Sequence, residues 1–270
     1  MLPEWFNKAV ELYNKEFSYK RIGEELKIDR KKIAKVLKEN GYAPKYVFNN
    51  KGKLYRKYTF NENFFENIDS EEKAYWLGFL YADGYVNSQK TSIELGLQES
   101  DLGHLERFRE DIDGNMPLTK TSKTIDGKTY IGYRLTANSF KFKQDLISKG
   151  CVENKSKILI FPNYNQVPKY LMNHFIRGYI DGDGCIYKKY NNTKSGKKIC
   201  MCVEIIGTEP FLKELMNEVG MQINTVHSLR KDNDNVKRTQ YNGIYANQFL
   251  DYLYKDATVY LNRKYVKLPS

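Results

Sequence analysis

The stretch "FIRGYIDGDGCI" (175–186) has a partner one hundred residues earlier, "YWLGFLYADGYV" (75–86), and the two align on Gly78/Gly178, Asp83/Asp183 and Gly84/Gly184. Each reads as an apolar helix that ends in an acid and a glycine. A helix carboxyl end carries partial negative charge, so an aspartate there is disfavoured unless a cation or a donor compensates. Asp83, Asp183 and Asp181 are therefore candidates for metal chemistry.

The likeness continues beyond the two helices. "LTANSFKF" (135–142) matches "IYANQFLD" (244–251) on Ala-Asn-x-Phe, and "FP" at 161–162 matches "LP" at 268–269, so the chain carries an internal duplication. Each unit reads as helix, hairpin, helix, hairpin, helix. Alternating runs such as "TSIELGL" (91–97) and "MCVEII" (201–206) are strands, and "DLGHLERFREDI" (101–112) and "EPFLKELMNEV" (209–219) are amphipathic helices. The second hairpins fall at 118–135, with an Asp-Gly turn at 126–127, and at 226–245. The fold class is α+β, a sheet layer with helices on one face, twice over.

Ala74, Gly78 and Ala82 lie at i, i+4 and i+8, a stripe of tiny side chains, and Gly178 and Gly182 repeat its last two positions. Glycine costs about 1 kcal/mol in a helix interior relative to alanine. Close packing of the two motif helices would justify that cost and would bring Asp83 and Asp183 together. Gly84 and Gly184 sit where a left-handed C-terminal residue is expected. Two carboxylates so placed repel, and bound Mg²⁺, for which Mn²⁺ can substitute, would relieve the repulsion with phosphate oxygens completing the shell. Such a centre can activate water and stabilise the leaving oxygen of a phosphodiester.

"WLGFLYADG" (76–84) and "IRGYIDGDG" (176–184) resemble two copies of the nine-residue motif of LAGLIDADG homing endonucleases, and the resemblance spans roughly residues 60–270. It implies two αββαββα half-domains related by pseudo-symmetry, 61–168 and 169–270, forming a saddle of two sheets on DNA. It further implies that the last acid of each motif, Asp83 and Asp183, binds metal, with the helix-end backbone of Ala82, Gly84 and Gly182 nearby. The preceding acidic position is Tyr81 in one copy and Asp181 in the other. Such enzymes commonly use a basic or amide side chain of the second hairpin near the scissile phosphate: Arg134 or Lys120 in unit one, Lys231 or Arg238 in unit two. The implied activity is double-strand cleavage of a long asymmetric DNA site by a monomer encoded in an intron or mobile element.

"CIYKKYNNTKSGKKIC" (185–200) carries Lys188, Lys189, Lys194, Lys197 and Lys198 and no acid, and a two-stranded ribbon fits the major groove. Tyr187, Tyr190, Asn191 and Asn192 are candidate base contacts there. "YVNSQKTS" (85–92) is the shorter ribbon of unit one, and Lys123 and Lys128 extend its DNA surface. Residues 1–44 have the apolar layout of a helix-turn-helix, with Ile22, Leu26, Ile28, Ile33, Val36 and Leu37 around a break at 27–29. Its second helix offers Arg30, Lys31, Lys32, Lys35 and Lys38 to DNA. Residues 45–60 form a basic linker.

The 44 Lys and Arg against 33 Asp and Glu leave a net charge of +11, most of it in residues 1–58, which suits a polyanion partner. No apolar stretch is long enough to span a bilayer and no secretory signal precedes the fold, so the expectation is a soluble cytoplasmic protein. The four cysteines lack zinc-finger spacing and read as buried thiols. "GIY" (243–245) and "YIG" (130–132) read as strand residues. The competing functions are a non-catalytic DNA-binding transcriptional regulator and an RNA-splicing maturase on the same scaffold.

Overall fold

In the computed structural model, residues 2–15, 17–42, 47–48, 54–55, 58–193, 196–225, 229–231 and 236–268 are described. Three helices open the chain: α1 (Phe6–Asn14), α2 (Tyr19–Leu26) and α3 (Arg30–Glu39). They enclose a small core of their own, made of Phe6, Ala9, Leu12, Tyr13, Tyr19, Ile22, Ile33 and Leu37. Ser18 caps α2 by accepting from the Arg21 amide, and Asp29 caps α3 by accepting from Lys31 and Lys32. Between them Lys27 adopts a left-handed conformation (φ 55°), and a Cβ on Gly23 would lie 2.6 Å from the Ile28 carbonyl oxygen. The turn is thus tight enough to demand glycine on its inner side. Two short paired strands follow, β1 (Val47–Phe48) and β2 (Leu54–Tyr55), and the rest of the segment 43–57 lies outside the described residues.

The first large unit runs α4 (Glu71–Asp83), β3 (Gly84–Val86), β4 (Ser92–Gln98), α5 (Leu102–Asp111), β5 (Thr119–Ile125), β6 (Lys128–Asn138) and α6 (Phe140–Ser148). The second runs α7 (Met172–Asp183), β7 (Cys185–Thr193), β8 (Gly196–Gly207), α8 (Glu209–Ile223), β9 (Arg230–Lys231), β10 (Lys237–Asn242) and α9 (Ile244–Tyr254), and ends in the short α10 (Asn262–Tyr265). Both are the expected helix, hairpin, helix, hairpin, helix. Their antiparallel sheets have matching orders, β3-β4-β6-β5 and β7-β8-β10-β9. Asp126 (φ 49°) and Gly127 (φ 73°) both turn left-handed in the two-residue hairpin of unit one, as Asp-Gly predicts. Where the strands lie over the helices they alternate: Val86, Ile93, Leu95, Leu135 and Ala137 are buried, as are Ile186, Met201, Val203, Ile205 and Tyr241 in the second unit. The opposite faces are open.

Three sequence expectations fail. The Ala-Asn-x-Phe match is out of step, because Asn138 ends β6 whereas Ala246 and Asn247 lie inside α9. Sheet register instead makes Ser139 and Gly243, the N-caps of α6 and α9, correspond. The duplication is carried by topology, and this tetrapeptide is coincidence. Ile244 and Tyr245 consequently start a helix and are not strand residues. Of the four thiols only Cys151 and Cys202 are buried; Cys200 is half-buried and Cys185 is exposed, although Cys185, Cys200 and Cys202 alternate onto the same face of the second sheet. Among the described residues no helix is long and apolar enough to cross a membrane.

The two units meet through α4 and α7. Residues 74–81 of α4 and 175–181 of α7 are all buried, including those around Gly78 and Gly178. A Cβ on Gly78 would stand 1.9 Å from the Phe175 carbonyl oxygen, one on Gly178 would stand 2.0 Å from that of Tyr75, and one on Gly182 would stand 2.3 Å from Ala82 Cβ. Backbone therefore touches backbone, reciprocally. Gly78→Ala and Gly178→Ala are each expected to lower unfolding free energy in urea by about 3 kcal/mol, since backbone cannot yield as a side chain can. Gly103→Ala, on α5 with nothing within 4 Å of the added carbon, is the control and should be neutral or stabilising by up to about 1 kcal/mol.

Candidate active site and nucleic-acid interface

Because α4 and α7 cross at their glycines, their carboxyl ends emerge side by side. Asp83 and Asp183 are the last residues of the two helices, and β3 and β7 begin immediately after them. The carbon added at Gly182 would fall 3.3 Å from Asp83 Oδ2, a measure of how closely α7 approaches the first acid. Both carboxylates are open to solvent and yet crowded by protein around their bases. That crowding, with Asp183's charge second, pushes Asp83 up to about 6, and burial likewise raises Asp183. The open side screens part of both effects.

Gly84 and Gly184 are not left-handed. They are extended, with φ −70° and ψ 144° and φ −76° and ψ 157°. The chain passes straight from helix into strand, and a Cβ would press to 2.6 Å on the Leu80 carbonyl oxygen or 2.7 Å on that of Ile180. Glycine is needed for that close approach.

Two lysines that sequence reasoning missed flank the acids. Lys264 of α10 is buried and donates to the carbonyls of Ile180 (2.6 Å), Gly182 (3.1 Å) and Gly184 (2.6 Å). Lys155 donates to the Gly84 carbonyl at the end of α4. Each ammonium thus offsets the negative pole of a motif helix. Burial pulls Lys264 down to about 8 despite the pull of Asp181, Asp83 and Asp183 in the other direction. The carbonyls of Gly84 and Gly182 each already accept from a lysine, while the two carboxylates face outward. The spacing of "NKSK" (154–157) and "NRK" (262–264) is the only sequence signal, and it is faint.

Asp181 belongs to a different structure. It is fully buried and accepts from Tyr254 Oη (2.6 Å), the Leu261 amide (2.7 Å) and Tyr75 Oη (2.8 Å). Burial raises its pKa against those three donors. Tyr75 also meets His104 at 3.0 Å, and burial pushes that imidazole down to about 4. Beside it the buried Arg177 binds Glu71 of α4 at 2.6 Å and the carbonyls of Val259 and Leu253. At the position corresponding to Asp181, Tyr81 donates to the Lys149 carbonyl at 2.5 Å. Asp181 is therefore a structural acid that binds α7 to α4, α9 and the chain end.

The open sheet faces sort the remaining candidates. Alternation from the buried residues puts Arg134, Lys123, Lys128, Tyr187, Lys189 and Arg238 on the open faces. Lys120 pairs with Tyr133, Lys188 with Met201 and Tyr190 with Ile199, on the alternate rows of their strands, and all three residues are exposed. Lys194 and the side chains of Asn191, Asn192, Lys197, Lys198 and Lys231 lie outside the described residues. On α3, Arg30, Lys31, Lys32, Lys35 and Lys38 are all exposed. Among the described residues no group of three or more His, Cys, Asp or Glu is arranged to hold a metal.

Among solved structures, the homing endonuclease I-WcaI bound to its DNA recognition sequence superposes with a TM-score of 0.55 at 14% identity, over 75% of this chain and 90% of that one. The I-LtrWI LAGLIDADG homing endonuclease bound to target DNA gives 0.46 at 12% identity, over 72% and 85%. I-SmaMI bound to uncleaved DNA target in the presence of calcium ions gives 0.42 at 12%, over 67% and 84%. No family model matches the sequence, and no curated protein matches it. At this identity the likeness is one of fold: the chain has the LAGLIDADG homing endonuclease fold.

The raised pKa of Asp83 fixes a sign. In the folded chain the carboxyl keeps its proton up to about 6 rather than 3.8, so stability falls as pH rises through that window. Asparagine carries no such charge. With metal removed by chelator, Asp83→Asn should match the parent's melting temperature near pH 3.5 and exceed it, modestly, above pH 6; equal melting throughout would show that neither burial nor Asp183's charge raises the Asp83 carboxyl.

Proposed function

We propose that the protein is a site-specific DNA endonuclease that cuts both strands of a long, asymmetric double-stranded site as a monomer, using divalent metal. The observation that carries this reading is the pairing of Asp83 and Asp183 at the touching ends of α4 and α7, between two sheets whose open faces bear cations. Two hard oxygen donors with excess negative potential suit Mg²⁺, which takes one or two carboxylates and leaves its other positions to water and phosphate. When bound, the ion supplies Lewis-acid polarisation of the phosphodiester and an activated water.

The chain's own residues do the rest. Asp83, pushed up to about 6, is ionised at neutral pH, and with Asp183 it lines the groove floor. Lys155 and Lys264 lock the helix ends, so the carboxylates are positioned before DNA arrives. Lys123, Lys128, Lys189 and the neighbouring strand residues face the phosphates and base edges. The helices α2 and α3 form a helix-turn-helix whose exposed cations lengthen the contact beyond the saddle.

Asp83→Asn and Asp183→Asn should each lower Mg²⁺-dependent cleavage of a randomised duplex library by about 10³-fold or more while DNA binding persists. Selective binding by the parent with no cutting in Mg²⁺ or Mn²⁺ would instead support a regulator. For the front module, replacing Lys31, Lys32 and Lys35 with alanine should flatten the slope of log affinity against log salt by about 3. An unchanged slope would remove the module from the interface.

A further inference from the structure

The open faces of the two sheets carry one arrangement twice. On the first, Glu94 stands between Tyr85 of β3 and Thr136 of β6, and Arg134 lies two residues along β6, opposite Gly96. Its Nη1 is 3.1 Å from Glu94 Oε2. On the second, Glu204 stands between Cys185 of β7 and Gln240 of β10, and Arg238 lies two residues along β10, opposite Ile206. Its Nη1 donates to Glu204 Oε1 at 2.8 Å. The neighbours on these rungs have diverged: Tyr85 corresponds to Cys185, Thr136 to Gln240 and Gly96 to Ile206. The Glu and Arg are the same.

Stability is a weak reason for that persistence, because cross-strand ion pairs on open surfaces contribute little. An acid on a face that meets DNA is also an electrostatic cost. The glutamates lie low, with side chains 23% and 18% exposed, and the guanidiniums lie above them, 49% and 35% exposed. A carboxylate that takes one edge of a guanidinium fixes the plane of the fork. A fixed fork standing off a strand in the major groove matches O6 and N7 of guanine.

We propose that Arg134 and Arg238 are specificity-determining residues, each aimed by its glutamate at a guanine, one guanine in each half of the DNA site. This rests on the reading that the open faces meet DNA. Tyr85 and Cys185 follow Asp83 and Asp183 by two residues, so both pairs lie beside the acids. The two guanines therefore belong to the inner part of each half-site and bracket the cut.

The test is cleavage of a randomised duplex library in Mg²⁺ by the full chain and by Arg134→Ala, Arg238→Ala, Glu94→Gln and Glu204→Gln, with a binding selection on the same library. The parent's products should carry guanine at one inner position of each half. Each arginine variant should lose the preference at its own position only, discriminating about tenfold to a hundredfold less against other bases there, and each glutamine variant should broaden the same position less. A uniform loss of cleavage on every sequence would make the arginines phosphate contacts and overturn the inference, as would unchanged base preferences. A parent that binds selectively without cutting refutes the endonuclease and leaves the guanine positions legible in the bound fraction. Enrichment of no sequence by either route refutes both.

Discussion

Gly78 and Gly178 let two helices touch backbone to backbone, and the geometry of the large domain follows from that contact. A Cβ on either would stand 1.9 or 2.0 Å from a carbonyl oxygen of the facing helix, so a side chain there would force the helices apart. Held together, α4 and α7 deliver their carboxyl ends to one place and launch β3 and β7 from it, one into each sheet. The same constraint that joins the halves therefore also sets the spacing of the acids and the origin of both strand surfaces. Buried polar bonds then lock the seam in register: Arg177 to Glu71, and Asp181 to Tyr75.

The negative charge gathered at the helix ends is balanced asymmetrically. On the protein side, Lys155 and Lys264 occupy the helix-end carbonyls and leave the carboxylates themselves facing outward. A lysine pointed at the carboxylates would have neutralised the site. Burial weakens the charge of Lys264 while its three carbonyl contacts keep it in place. The result is a floor whose electrostatic demand is met from the groove.

Much of this was legible in the chain before folding. Repeated glycines at one helical spacing, each followed by an acid, announce two helices that touch, and alternation with an Asp-Gly turn announces the hairpins. What was hidden depends on register and on distance in sequence. Lys264 reaches Ile180 across 84 residues and has no local pattern to betray it. A count of cations in a strand also ignores which face each residue takes, so the row that Lys189 shares with Tyr187 becomes visible only in the sheet register. The left-handed glycines failed because each motif helix passes directly into a strand, which needs an extended residue at Gly84 and Gly184. The structural role of Asp181 was hidden because its partners, Tyr75, Tyr254 and Leu261, come from three distant segments.

That last acid has an evolutionary consequence. Its hydroxyl donor across the seam, Tyr75, belongs to the other unit, and the position corresponding to Tyr75 in the second unit is Phe175. Two copies of the second unit, set together as α4 and α7 are, would bury two aspartates and offer each a phenyl ring where a phenol is needed. Two copies of the first would bring Tyr81, which packs edge-on against Phe175 at 4.9 Å, against another tyrosine. At this seam the halves are complements, because the phenol from which Asp181 accepts is supplied by the first unit and has no counterpart in the second.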